Sequence, residues 1–570
     1  MTDRISKIID VAAGREQADV VLKNCNIVNV FTQEIVQGNI AICGDKIAGI
    51  GDYSGKHEID INGCYAIPGL IDSHVHIESA MIVPEQFARA VVPKGTTTVI
   101  ADPHEITNVC GLDGISFILE RSRDLPLNVY IMLPSCVPAT PFETSGTRLG
   151  AQDLVSLLEN ERVLGLGEMM DYVGVVSADN AIIEKLTSLN GKIIDGHAPQ
   201  LGGKSLNAYI SAGIRTDHEC TTVEEMAEKI RSGLHIQIRE GSAARDLKTL
   251  IKGVNERNMR RCSFCTDDRH LDAIIKEGHI DNCIRQAVKN GMEPVKAVIM
   301  ATLNTAECYG LEKLGAIAPG YAADIVVTDN LEDFNIIKVI KSGRLVAENG
   351  ILTEEICFAQ KGRLHNTVRI DKISKEMFDI KLKSENANVI SVQPGSLITR
   401  KEIRKVKTDG GLFVCSDSID VVKLAVVERH RATGNIGLGL LENLNIKNMA
   451  IASTVAHDSH NLIVAGDNDA DMLAAVQELY EKGGGITICS RGEVIKTLPL
   501  PIAGLLSDRP FEEVAGELAE MLDIVYKMGV NKEFEPFMIL SFLALPVIPE
   551  IRLTDRGLFD VESFSFINIS

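Results

Sequence analysis

The chain has 570 residues, of which 45% are hydrophobic and 24% charged. It is too long for one core and apolar enough to bury several, which excludes a disordered polymer and predicts two or three globular domains. A formal net charge of −20 without a dense Lys/Arg run speaks against nucleic acid and anionic membranes as partners.

The amino terminus, MTDRISKIIDVAAGREQADV, lacks the basic start and continuous apolar middle of a secretory signal. The longest apolar run, Phe537 to Ile548, is short for a membrane span and is broken by Pro546. Thirteen scattered cysteines predict reduced thiols in a cytoplasm, and Cys262 and Cys265 read as buried thiols, since on a strand they face opposite ways.

From Asp19 to Gly51 short alternating runs separated by Asn, Gln and Gly-Asp turns predict one sheet of a small β-domain. Gly315 to Val346 has the same character and is expected to complete it. Between them, eight apolar runs end in polar residues, beginning at Tyr65, Thr96, Leu127, Arg162, Lys192, Gly213, Leu234 and Arg260. Segments of helical spacing, such as PEQFARAVV and VEEMAEKIRS, separate them. Strands alternating with helices in this number predict an α/β fold, a TIM-type eight-stranded β/α barrel. After about Leu364 strands and helices mix in an α+β layout that carries a polar cluster, His457, Asp458 and His460. The expected division is 1–66 with 307–364 as a composite β-sandwich domain, 67–306 as the barrel and 365–570 as a carboxy-terminal domain.

Catalytic groups of such a barrel come from the carboxyl ends of its strands. Those ends here hold His74 and His76; Asp102, His104 and Glu105; Glu168; His197; His218 and Glu219; and Asp267 and Asp268. His74 and His76 stand two apart on one strand, so both imidazoles point to the same side. Alone, any of these residues could cap a helix or make a turn. Together, four histidines and two acids suit one or two borderline divalent cations.

PGLIDSHVHIE, DGHAP, TDHE and CTDD, in that order, resemble the amidohydrolase superfamily. The longer segments from Pro68 to Gly111 and from Gly165 to Val175 are similar to the bacterial and archaeal adenine deaminase family, as is the carboxy-terminal extension. The resemblance implies His74 and His76 on one metal, His197 and His218 on the other, and Glu168 in place of the carboxylated lysine of many relatives. It implies hydrolytic deamination of adenine to hypoxanthine and ammonia by a metal-activated hydroxide, in purine salvage. Two divalent ions are expected, Mn²⁺ or Fe²⁺ first and Zn²⁺ as the alternative.

Asp267, able to touch metal and hydroxide together, is the expected general base. Asp268, by resemblance, meets a ring nitrogen, and His104, Glu105 and Glu219 are the remaining substrate-binding candidates. A small molecule is the expected partner, in a homo-oligomer such as a dimer. Two rival readings are a related cyclic amidase, against which Glu168 in the lysine position argues, and an inactive scaffold, against which the filled ligand positions argue.

Overall fold

A computed structural model describes residues 2–189, 191–356, 364–416 and 418–570. The two flanking segments of the chain meet in one nine-stranded sheet. Tyr65–Pro68 joins them, pairing in parallel with Ala18–Asn29 on one side and antiparallel with Ile325–Thr328 on the other. Leu22, Ile27, Ile40, Ile325, Val327 and Ile340 form a buried core on one face, and Val28, Ile67, Val326 and Val339 are buried on the other.

One residue later the chain enters a second sheet, and Gly69 makes the transfer. A Cβ there would lie 2.2 Å from Oγ1 of Thr97, so only glycine permits so close an approach. Eight parallel strands follow: β1 (Leu70–Val75), β2 (Thr96–Ala101), β3 (Asn128–Leu133), β4 (Val163–Met169), β5 (Ile193–Gly196), β6 (Thr216–Asp217), β7 (His235–Arg239) and β8 (Cys262–Cys265). Their ladders form a curled sheet of five, β5-β4-β3-β2-β1, and a sheet of three, β6-β7-β8. The run beginning at Gly213, expected as a full strand, pairs over only two residues.

A few backbone bonds and side chains stand in for a full ladder at both seams. Between β5 and β6, the amide of Arg215 donates to Ile194 O at 3.0 Å, and Asp195 accepts from Thr216 Oγ1 at 2.9 Å. Between β1 and β8, Asp72 accepts from the Thr266 amide at 3.1 Å and from its hydroxyl, while Val75 and Asp267 form an isolated parallel bridge.

The carboxy-terminal region is a separate layer built on a mixed eight-stranded sheet. Helix Asp469–Lys482 starts where Asn468 accepts from the Asp471 amide and stops at Gly483, at φ +75°. Its Met472, Ala475, Val476 and Leu479 recur at helical spacing and fill one face of the sheet against Ala425, Ala450, Leu462 and Val464. Truncating a residue such as Leu479 to Ala would cost about 2–5 kcal/mol. This layer docks on the loop after β1: Val83 and Ser507 exchange backbone bonds with Ser507 and Met81, and the Phe511 amide donates to Gln86 Oε1 at 3.2 Å. No helix among the described residues is long and apolar enough to cross a membrane. The twelve described cysteines are free, Cys262 and Cys265 buried among them.

Candidate metal centre

The strand ends converge. His74 and His76 leave β1 with ring centroids 4.8 Å apart. Nδ1 of His76 donates to Asp102 O at 2.8 Å, which leaves the Nε2 lone pair directed at the centre. That nitrogen lies 3.3 Å from Glu168 Oε1 and 3.0 Å from Asp267 Oδ1, and Nε2 of His74 lies 3.8 and 3.5 Å from the same two atoms. Oε2 of Glu168 faces the other way, 2.8 Å from His197 Nδ1 and 3.2 Å from His218 Nε2. One carboxylate thus addresses two pairs of imidazoles with its two oxygens.

Local sequence explains how Glu168 is held. Asp102 accepts the Glu168 amide through Oδ2 at 3.0 Å, and it fits there because residue 167 is glycine, whose Cβ would otherwise sit 1.9 Å from that oxygen. Asp267 is placed by the β1–β8 seam: its amide donates to His74 O at 3.0 Å, and it adopts φ +54°, sparsely populated for a non-glycine residue.

The donor set fits divalent cations. His74, His76 and Glu168 bring ligand atoms within 4.8 Å of one another, as do His74, His218 and Asp267, and Glu168, His197 and His218. Buried Nε2 of His74 has no hydrogen-bond partner among the described residues. Burial disfavours every charge here, yet the imidazoles hold the pKa values of Glu168 and Asp267 well below the carboxylate range. In return, against that same burial, Glu168 pushes His218 up to about 9. Carboxylates so concentrated require compensating positive charge, which dications supply.

The remaining expected residues fall around this cluster. His104 puts Nδ1 at 3.3 Å from Glu168 Oε1, and Glu219 lies 3.5 Å from His218 Nε2. Asp268 accepts from the Ser79 hydroxyl. Glu105 lies 3.4 Å from His104 Nε2, and its two oxygens bond His457 Nδ1 and His460 Nε2 from a loop of the carboxy-terminal sheet. Arg239 joins the site although no motif singles it out. It ends β7, donates to Asp267 Oδ2 at 2.9 Å and also holds Glu219 and Asp246. Its signal was available, since it ends an apolar run as the other site residues do.

Above the cluster opens a cavity of about 740 Å³. Its floor is the imidazole–carboxylate rim; His457, Asp458, Met538, Phe542 and Ile548 of the carboxy-terminal layer form part of its wall. Such a site, on parallel strands with helical crossovers, defines a metal-dependent hydrolase of the amidohydrolase class. Residues 65–346 match the amidohydrolase family, and residues 396–565 match the adenine deaminase C-terminal domain. The chain is 54% identical over 567 residues to an adenine deaminase of Clostridium acetobutylicum, covering 99% of this chain and 100% of that one. It is 51% identical over 569 residues to an adenine deaminase of Nitratidesulfovibrio vulgaris and 49% over 566 to adenine deaminase 2 of Carboxydothermus hydrogenoformans, with 99% of both chains covered each time. The chain belongs to the adenine deaminase family.

Proposed function

We infer that the chain converts adenine and water to hypoxanthine and ammonia at this rim. One observation carries the reading: Glu168 offers an oxygen to each of two imidazole pairs, with Asp267 beside the first. Full-length kinship with adenine deaminases supplies the base. His74, His76 and Asp267 would hold one divalent cation and His197 and His218 the other, with Glu168 between them. Bound there, the pair supplies Lewis acidity and brings the pKa of water from about 16 toward about 7. Imidazole and carboxylate donors without thiolate suit Mn²⁺ or Fe²⁺, with Zn²⁺ the alternative.

The chain's own groups handle protons and position. Asp267, kept ionised by the imidazoles and Arg239, takes a proton from the attacking water and delivers it to the departing amine. As oxygen adds at carbon 6 the ring loses aromaticity and the adjacent ring nitrogen takes up the second proton of the water; Asp268, steadied by Ser79, accepts the hydrogen bond of the N–H so formed. His104 and Glu219 flank the reacting edge, while the carboxy-terminal wall excludes water. Cleavage of the carbon–nitrogen bond then releases ammonia.

The same reading takes the sheets of five and three as one closed barrel, supported by the bonds across both seams. It keeps the barrel at 67–306, the composite domain at 1–66 with 307–364, and the carboxy-terminal domain at 365–570. An assay of ammonia from adenine beside ring opening of hydantoin and dihydrouracil tests it. Adenine alone should react; ring opening without ammonia release would favour a cyclic amidase.

A further inference from the structure

The loop from His457 to Asn461 connects Ala450–Ser453 to Leu462–Gly466 in the carboxy-terminal sheet, yet it reaches the cavity of the barrel. It arrives rigid. His457 and His460 both bond Glu105, Asn461 Nδ2 donates to Thr144 O at 2.7 Å, and His430 Nε2 meets Ser459 O at 2.7 Å. Arg429, fully buried, donates to the carbonyl of His460.

Within this loop Asp458 is only 2% exposed, although it lines the cavity with His104, Glu168 and Asp267. Its Oδ1 lies 4.0 Å from His104 Nε2, and its buried Oδ2 has no hydrogen-bond partner among the described residues. An unmatched buried acceptor is costly, so such a group marks a position that a ligand donor fills. The ring of His104 stands between this carboxyl and Glu168, because its other nitrogen faces Glu168 Oε1 at 3.3 Å. A purine with carbon 6 at Glu168 therefore presents a more remote edge to Asp458. Apart from the amine that leaves, free adenine has one N–H, on its five-membered ring; its other ring nitrogens accept. A carboxylate accepts only, so that N–H is its match.

We propose that Asp458 is a specificity-determining residue of the deamination site and accepts a hydrogen bond from the ring N–H of free adenine, the group that a nucleoside lacks. The proposal rests on the assignment of deamination to the imidazole–carboxylate rim. A site built to bond a substrate N–H rejects analogues without it, because its own polar group is then left unpaired.

The test compares kcat and KM for adenine and 9-methyladenine in the metal-loaded wild type and Asp458→Ala, with metal content measured on both. Loss of the bond should lower kcat/KM for adenine about 10–100-fold, chiefly through KM. The value for 9-methyladenine should not fall, so the preference for adenine shrinks by the same factor. Metal content should equal that of the wild type. If Asp458→Ala does not fold, Asp458→Asn, of the same shape, should show a smaller shift in the same direction. An unchanged preference overturns the assignment. So does a gain for 9-methyladenine with adenine unaffected, which signals only relief of crowding, and so does loss of metal, which moves Asp458 into the ligand cluster. A wild-type protein that releases no ammonia from adenine would remove the underlying reading as well, and is told apart by being seen before any substitution.

Discussion

The rim of the two parallel sheets and the loop of the carboxy-terminal sheet each hold a buried glutamate between histidines, and each brings potential ligand atoms within 4.8 Å of one another. The second nitrogen of the imidazole separates them. At the rim, Nδ1 of His76 donates to a backbone carbonyl, so Nε2 keeps the lone pair that a cation needs. In the loop, Nδ1 of His460 accepts the Ala456 amide at 3.0 Å, so Nε2 carries the proton it donates to Glu105. Similar composition thus leaves an imidazole nitrogen of His76 open to a cation in one place and commits that of His460 to a clamp in the other, and a single backbone bond sets the tautomer in each.

The largest effect should come from Glu168→Gln. Removing the charge shared by two imidazole pairs should strip most of the metal and lower kcat by about 10³-fold or more. Near-normal metal content in this variant would break the comparison at its first term. Asp267→Asn should keep much of its metal while turnover falls about 10²–10⁴-fold, as for loss of a general base. Robust deamination by that variant would remove Asp267 from the role.

The clamp makes a smaller prediction about stability. Burial opposes the charge on His457, but Glu105 raises its pKa to about 9 in the folded chain, above the ordinary 6.5. A raised pKa means that the folded state holds the proton more tightly. The resulting stability is fully present below pH 6.5 and is lost as pH rises toward about 9. The unfolding midpoint should therefore fall by a few degrees across that window, and His457→Gln should flatten the slope. An equal slope in both proteins would show that the clamp contributes no charge pairing.

Much of the rim was legible because a parallel strand end is a local signal. His74, His76, Glu168, His197, His218 and Asp267 each close an apolar run, and the alternation of strand and helix gathers such ends on one face. Arg239 closes a run equally well but reads alone as a solvated cation; only its three carboxylate partners give it meaning. The partners of Glu105 were hidden for another reason. His457 and His460 lie more than 350 residues along the chain, and no periodicity encodes which loop of one layer meets which strand of another. The shortness of β6 was equally obscured, since the bond of Arg215 and the side chain of Asp195 do the work of ladder pairs there.

Metal titration of the chelated wild-type chain, followed by both bound metal and ammonia release from adenine, bears most directly on these two glutamates. Activity should return in step with two equivalents per chain and then level, leaving the Glu105 clamp without an ion. Full activity at a single equivalent, or a requirement for a third, would contradict the distinction between ligand set and clamp.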